Sequence, residues 1–387
     1  MTLSPFLIRV ISLENDNPIE DNKRRVMKFY LSSLQIAFFV LIQLFLSSFT
    51  CTTETLSADL KGKNLSFQYI DAHNHLFGQS PSRSGIIYDY EGAAKTALSR
   101  MDTFGIQTAV ILPHPFAHGQ PFSYDIADFI NTLKKYPDRF AFMGGGGTLN
   151  VIINRSFREG RLTEEIRKEF EEEAMKIISS GAVGFGEMSA EHLSLGDRHP
   201  YQSTPPDHPL FFFLSDIAAK HGMVIDIHME AVSGEMAVPA RLKSSNNPKL
   251  LRPNIEAFER LLAHNRSTKI IWAHAGWDNT GDRTVLLMSE LLTKHPNLLM
   301  SIKIGRDSLP GNRPFDENGL KPEWLDLIRK FSDRFIIGSD EFFPAPGIGF
   351  SSPSRLETTF RLLSLLPHDL AYKIGFGNPN RIFRLKK

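Results

Sequence analysis

Short apolar runs alternate with amphipathic segments from residue 67 onward. Each run contains β-branched or other apolar residues and ends near a polar one, and a loop and a helical pattern follow it. Runs of this length that are apolar throughout are typical of parallel strands covered on both faces. The eight runs are 67–73, 107–114, 139–147, 181–187, 222–228, 268–274, 297–305 and 334–340.

Helical periodicity fills the segments between the runs. In 91–105, Ala94, Ala97 and Met101 share one face, as in an amphipathic helix. Ser123 is the predicted N-cap of a helix within 123–137, and Thr163 that of a helix within 163–181. The other predicted helices are 207–221, 253–265, 282–295, 321–333 and 354–366.

Strand followed by helix, repeated eight times, predicts an α/β fold of the (β/α)₈ TIM-barrel type. A doubly wound open sheet is the alternative, because it shares this alternation. Such sheets often carry a glycine-rich phosphate turn after the first strand, where this chain has HNHLFG. The GGGG at 144–147 lacks a nucleotide-loop pattern, and we interpret it as backbone that approaches a site or turns tightly.

The first 50 residues are predicted to be separate from the barrel. The basic stretch KRRVMK at 23–28 precedes an uncharged apolar run at 29–50, which is the layout of a secretory signal and is also long enough to span a bilayer. Met27 is an alternative start, and Cys51 is either lipid-modified or a plain cysteine beside a cleaved signal. We therefore expect an N-terminal signal or anchor at 1–50, a linker at 51–66, a barrel at 67–387, and export to the periplasm or cell envelope.

Composition narrows the range of ligands. The formal net charge of the 387 residues is +1 without a long basic block, which does not suggest nucleic acid as a partner. The single cysteine excludes an intrachain disulfide and a thiolate zinc site. We expect a small-molecule substrate, membrane contact through the N-terminal segment only, and nitrogen and oxygen ligands for any metal; a homo-oligomer is left open.

Candidate ligands end five of the eight runs, while His114, at the end of the run 107–114, is interpreted as structural. In a barrel of this kind the C-terminal strand ends carry the chemistry. His73 and His75 lie two residues apart, so both are expected to project inward. A lone histidine at a strand end is more often structural, so the prediction depends on the whole set. Imidazole and carboxylate groups suit Zn²⁺ first, with Mn²⁺ or Fe²⁺ as alternatives, as one ion or a pair. The predicted metal ligands are His73, His75, Glu187, His228, His274 and Asp340.

The segments YIDAHNH, GFGE, DIH, WAHAGW and IIGSD resemble the amidohydrolase superfamily, in particular its amidohydrolase-related (amidohydrolase family 2) branch. The closing KIGFGNPNRIF resembles the C-terminal signature of that branch, and the similarity spans about residues 67 to 385.

The resemblance implies a role for each candidate. His73, His75 and His228 would bind metal, and Asp340 would orient the metal-bound water and take its proton. His274 would bind a second metal or polarise the substrate carbonyl. Glu187 would bridge two metals, or would instead hold a histidine tautomer by a hydrogen bond.

Three functions stay open on this basis. The first is a metal-dependent hydrolase that uses a metal-activated water on a small ester, lactone or amide-like substrate. The second is a non-oxidative, metal-dependent decarboxylase of a small aromatic or unsaturated carboxylic acid, and the third is a non-catalytic binding protein. Arg306 and Arg313 are candidate clamps for a substrate carboxylate or phosphate, and Trp277 is a candidate pocket wall, although solvated arginines and core packing are equally ordinary fates.

Overall fold

The computed structural model describes residues 65–82, 85–120, 123–197, 199–242, 244–348 and 354–385. The predicted signal segment, Met27 and Cys51 lie outside the described residues. Among the helices within the described ranges, none is both long enough and apolar enough to cross a membrane.

Eight parallel strands form a closed sheet, and the eighth consists of two short pieces. Neighbouring strands in the sheet follow chain order from the first to the eighth. The second piece of the eighth strand pairs in parallel with β1, with Asn74 opposite Glu341. This closure confirms the predicted TIM barrel and excludes the open sheet. The first seven strands are β1 (Tyr69–Phe77), β2 (Ile106–Ile111), β3 (Phe140–Gly145), β4 (Gly184–His192), β5 (Val224–Met229), β6 (Lys269–Ala275) and β7 (Leu298–Ile302). The two pieces of the eighth strand are β8 (Phe335–Ile337) and β9 (Glu341–Pro344).

Helices cover the outside of the barrel, and the hydrophobic pattern of the sequence predicted eight of them to within a few residues. It missed α3, although Leu149, Ile152 and Ile153 are buried at helical spacing. The helices are α1 (Tyr90–Phe104), α2 (Ile126–Leu133), α3 (Leu149–Glu159), α4 (Glu164–Ser179), α5 (Pro209–His221), α6 (Ile255–His264), α7 (Val285–Lys294), α8 (Pro322–Lys330), α9 (Leu356–Leu365), α10 (His368–Tyr372) and α11 (Asn378–Phe383), with a π-turn at Lys373–Gly377.

Short two-stranded ladders decorate the loops. Gln79–Ser82 pairs with Gly85–Tyr88, Met236–Ala237 with Leu250–Leu251, and Phe315–Asp316 with Gly319–Leu320. Gln202–Ser203 pairs with the end of β4, which continues to His192 rather than ending at Glu187 as the sequence predicted.

One apolar layer fills the barrel interior beneath the site. Along β5, Val224 packs into this layer, and Asp226 and His228 follow at two-residue spacing, so the same face carries apolar packing and then chemistry. The layer consists of Ala72, Val110, Leu112, Ala141, Met143, Val224, Ile271, Leu299 and Ile336, packed with Ile382 and Phe383 of α11.

The start of α2 corrects one sequence prediction and explains the GGGG segment. The N-cap is Asp125, not Ser123, because the Asp125 carboxylate accepts a hydrogen bond from the backbone N–H of Ile126. The same buried carboxylate accepts from the N–H groups of Gly145 and Gly147 at 3.0 Å. Asp125 therefore ties α2 to the turn after β3. The Thr163 prediction is confirmed, since its side chain caps α4.

Replacing Asp125 with alanine is expected to lower the free energy of unfolding by about 2–4 kcal/mol, because several buried N–H donors lose their acceptor. Chemical denaturation monitored by circular dichroism measures the change. Asp138→Ala, at an exposed position, is the matched control and should shift stability by less than about 0.5 kcal/mol. Equal stability of the two variants would contradict the anchoring role.

Candidate metal centre

The carboxylate of Glu187 lies between two pairs of imidazoles. Its Oε2 is 3.5 Å from Nε2 of His73 and 3.6 Å from Nε2 of His75. Its Oε1 is 2.9 Å from Nδ1 of His228 and 3.1 Å from Nε2 of His274. All five side chains are buried. Residues more than 200 positions apart thus meet around one carboxylate.

Asp340 lies at the end of the cluster occupied by the first histidine pair. Its Oδ1 is 3.0 Å from Nε2 of His75 and 4.0 Å from Nε2 of His73. Its Oδ2 faces the other way, 2.5 Å from Nζ of Lys303. All six predicted ligands are therefore gathered at one site. Two groups offer ligand atoms within 4.8 Å of one another, and these are His73–His75–Asp340 and His73–Glu187–His274.

Asp71, two residues before His73, helps to fix the position of Asp340. Asp71 accepts hydrogen bonds from the N–H and the hydroxyl of Ser339, at 2.9 and 2.5 Å. The Asp340 N–H donates to the carbonyl of His73 at 2.8 Å. Because these bonds join the first and eighth strands, the backbone structure places Asp340 against the histidines.

Unusual backbone conformations occur at the site itself. His274 and Asp340 have φ angles of 74° and 57°, in the left-handed region that non-glycine residues rarely occupy. Such conformations cluster at functional sites, where the surrounding structure holds them. A β-carbon at Gly146 would lie 2.5 Å from the carbonyl oxygen of Pro113 and 3.1 Å from that of Glu187. The GGGG backbone therefore passes close to the site, as the sequence predicted.

The histidine environments fit a divalent cation. Nδ1 of His75 donates to the carbonyl of Leu112 at 2.8 Å, which leaves Nε2 as the ligand atom. Nδ1 of His73 lies 3.3 Å from Oδ1 of Asp226. Within the described chain, neither ring nitrogen of His73 and neither oxygen of Asp226 has a hydrogen-bond partner, although all are buried. Buried polar atoms rarely stay unpaired, and a cation at Nε2 of His73 would complete this set.

The electrostatics favour a positive charge at the same place. Burial raises the pKa of Glu187, but the surrounding imidazoles outweigh it and hold that pKa well below its usual value. Burial lowers the pKa of His73, but the carboxylates of Asp226 and Glu187 outweigh it and raise that pKa well above its usual value. Burial and the Lys303 ammonium hold the pKa of His274 well below its usual value. The carboxylates around His73 therefore favour a positive charge at this place, and His274 is in the neutral form that binds metal ions.

A model of the amidohydrolase family matches residues 164–385, more than half of the chain. The chain belongs to the amidohydrolase family. The matched region contains Glu187, His228, His274 and Asp340, and the barrel brings His73 and His75 to them from outside it.

Solved structures with similar folds include several enzymes. A 2,6-dihydroxybenzoate decarboxylase has 13% identity and a TM-score of 0.46, covering 82% of this chain and 100% of its own. A probable 2-pyrone-4,6-dicarboxylic acid hydrolase from Acinetobacter baumannii has 14% identity and a TM-score of 0.46, with the same coverage. A dihydroxybenzoic acid decarboxylase from Polaromonas sp. JS666 with bound manganese has 13% identity and a TM-score of 0.46, covering 83% and 98%. No curated protein sequence matches the chain.

Of the three predicted substrate-binding residues of this amidohydrolase, Trp277 lies beside the site and the two arginines lie on the loop after β7. Trp277 is buried beside the site, with its ring centroid 6.1 Å from that of His228 and 5.9 Å from that of His274. The guanidinium of Arg313 donates to the carbonyls of Ser308 and Arg306, so it holds the loop after β7 together. Arg306 is exposed on that loop. Among the described residues, neither arginine forms an ion pair with Glu187 or Asp340.

Sequence reasoning missed Asp226 and Lys303, although both left a signal. Asp226 lies two residues before His228 on the same strand, and this spacing places both on the inward face. Lys303 is a single charge in the apolar run 297–305 and lies just past β7. Both side chains are buried and contact the predicted ligands.

Replacing Asp226 with asparagine is expected to weaken metal binding about 10- to 100-fold, because the His73 ring loses the carboxylate that orients it and raises its basicity. Competition with a chromogenic chelator measures the affinity. Asp326→Asn, at an exposed position of α8, is the control. Unchanged affinity in Asp226→Asn would show that the carboxylate does not support the ligand.

A buried acid near the site gives a pH-dependent stability. Glu191 accepts a hydrogen bond from the Ser203 hydroxyl at 2.7 Å, and burial raises its pKa to about 7. The folded state therefore prefers the protonated acid, and stability is lost as the pH rises from the unfolded pKa towards 7. Glu191→Gln is expected to stabilise the protein by roughly 3 kcal/mol at pH 8 and by about 1 kcal/mol at pH 5. Denaturation at both pH values measures this, and a difference independent of pH would contradict it.

Proposed function

We propose that this amidohydrolase is a metal-dependent hydrolase of a small ester, lactone or amide-like substrate. The observation that carries the proposal is Glu187, whose two oxygens face two separate imidazole pairs. His73, His75 and Asp340 would hold one ion, and His228 and His274 the other, with Glu187 between them. This nitrogen and oxygen donor set suits Zn²⁺, and also Mn²⁺ or Fe²⁺. When bound, the ions would polarise the substrate carbonyl and lower the pKa of water.

Asp340 would take the proton from the attacking water and pass it to the leaving group. Burial raises the pKa of Asp340, but Lys303 and Arg355 outweigh burial and hold that pKa well below its usual value, so the carboxylate is anionic. Its Oδ1 faces the imidazole of His75 while Oδ2 is held by the ammonium of Lys303. A fixed anionic carboxylate beside the reacting water is the arrangement that general base catalysis requires.

Decarboxylation of a small aromatic or unsaturated acid is the second candidate. Lys303 beside the site is compatible with it, since a substrate carboxylate needs a cationic partner. Two imidazole pairs on either side of one carboxylate support hydrolysis, because they offer ligands for two ions, whereas in a one-ion enzyme His274 would act on the substrate instead. A non-catalytic binding protein would be expected to lack some of the ligands, whereas all six lie at the site.

A substrate panel tests the proposal. The metal-loaded chain is assayed on lactones, aryl esters, N-acyl amides and aromatic carboxylic acids, and carbon dioxide is measured in parallel. Hydrolysis of one of the first three classes without release of carbon dioxide is the expected result. Carbon dioxide release from an acid, with none of the esters, lactones or amides hydrolysed, would overturn the proposal in favour of decarboxylation.

A further inference from the structure

Two cations meet at the oxygen of Asp340 that faces away from the histidines. Nζ of Lys303 lies 2.5 Å from Oδ2, and Nη1 of Arg355 lies 3.4 Å from the same atom. The Lys303 side chain is buried, with 4% exposed, while that of Arg355 is 18% exposed. The pair therefore extends from the buried site towards solvent.

Both cations share a single carboxylate as their direct ion-pair partner. Among the described residues, Asp340 is the only acid with a carboxylate oxygen within 4.0 Å of either cation. The other oxygen of Asp340 already faces the imidazoles of His73 and His75. Asp340 thus serves both cations and the imidazoles at once. The next acids, Asp307 and Glu341, act on Lys303 and Arg355 from further away, and Glu341 is also paired with Arg100. Buried charges need partners, so an additional anion is favoured here.

The hydrogen-bonding capacity points the same way. The ammonium of Lys303 has three N–H donors; one is directed to Asp340, and the ring of Trp277 lies 3.6 Å away. The guanidinium of Arg355 has five N–H donors, and its Nη1 contacts both the carbonyl and the carboxylate of Asp340. Ammonium and guanidinium groups side by side suit a carboxylate, which accepts several charged hydrogen bonds.

Aromatic rings flank the two cations. Trp277 lies against Lys303, and the guanidinium carbon of Arg355 is 5.8 Å from the ring centroid of Phe342. The same Phe342 ring is 4.5 Å from that of His75. A group between the cations would therefore have apolar surfaces beside it and the metal ligands close by.

We infer that Lys303 and Arg355 form a subsite for a carboxylate of the substrate. The inference rests on the proposed function and names its substrate class, which is a lactone, ester or amide that carries a carboxylate. The two oxygens of Asp340 separate the histidines from the cations. The substrate carboxylate is therefore only a few bonds from the carbonyl that reacts.

A matched pair of esters tests the inference. 4-Nitrophenyl butyrate and the mono-4-nitrophenyl ester of succinic acid differ in a terminal methyl against a carboxylate. The wild-type enzyme is expected to prefer the anionic ester. Lys303→Met is expected to lower kcat/KM for both esters, because Lys303 also holds Asp340, and to lower it roughly tenfold more for the anionic ester than for the neutral one. Lys330→Met, at an exposed position of α8, is the control. Equal losses on both esters in Lys303→Met would mean that Lys303 only positions Asp340, and would overturn the inference.

A binding measurement separates this inference from the proposed function. Propane-1-sulfonate, an anion that binds metals weakly, and neutral methyl propyl sulfone are titrated calorimetrically into the metal-loaded protein. Preference for the sulfonate, reduced about tenfold or more in Lys303→Met, supports the subsite even if neither ester is hydrolysed, in which case the proposed function alone fails. Arg355→Met is expected to show the same loss of preference for the sulfonate. This variant tests the subsite if Lys303→Met does not fold. Sulfonate binding that is absent, or unchanged in the folded variants, would overturn the inference.

Discussion

Replacing Asp340 with asparagine is expected to lower kcat/KM about 10²- to 10⁴-fold on the best substrate of the panel. The amide has nearly the same shape as the carboxylate but cannot accept a proton at neutral pH. The bond from the Asp340 N–H to the carbonyl of His73 and the bonds of Ser339 to Asp71 do not involve the replaced group, so the fold should be retained. Steady-state kinetics and circular dichroism measure the two effects separately.

The matched control for this experiment is Asp326→Asn. Asp326 is exposed on α8, so its replacement removes the same charge without touching the site. Its kcat/KM should stay within about twofold of the wild-type value, as expected for a surface change. Full activity in Asp340→Asn would remove this residue from the role of general base.

Replacing Glu187 with glutamine is expected to remove one of two bound ions and to abolish hydrolysis under the same conditions. The carboxylate faces both imidazole pairs, at distances from 2.9 to 3.6 Å, and the uncharged amide would leave two cations without the anion between them. Close like charges repel strongly where water is excluded. Metal content by mass spectrometry of the dialysed protein measures the loss.

Glu171→Gln is the control for metal content, because Glu171 is exposed on α4. It should retain the metal content of the wild-type protein. Retention of the full wild-type metal content by Glu187→Gln would mean that Glu187 only hydrogen-bonds the histidines, the alternative that the sequence left open.

The barrel and the gathering of the candidate side chains at one site were predictable because their signals are local. A parallel strand buried on both faces is apolar along its length, so a histidine or carboxylate at its end stands out, as His228 and Asp340 do. Closure of the barrel then brings these ends together without further information. The same reasoning applied to α3 would have found it, since its buried positions have helical spacing.

Other parts of the site depend on register and packing that the sequence does not display. The register of β4 against β5 shifts between Phe185 and Met188, on either side of Glu187, and the strand continues to His192, beyond its predicted end. Arg355 reaches Asp340 from the start of α9, whereas Arg306 and Arg313, which the sequence offered as candidates, lie on the loop after β7. A lone arginine on a loop gives no indication of its partner until the fold places it.

Binding of a pair of divalent ions by the six side chains is measured by the metal content of the chain. The purified full chain is loaded with Zn²⁺, Mn²⁺ or Fe²⁺ in turn, dialysed, and analysed for metal per chain. Two ions per chain with at least one of these metals is the expected result. No bound metal after any of the three treatments would contradict the metal centre itself, and a maximum of one ion would contradict the bridging role of Glu187.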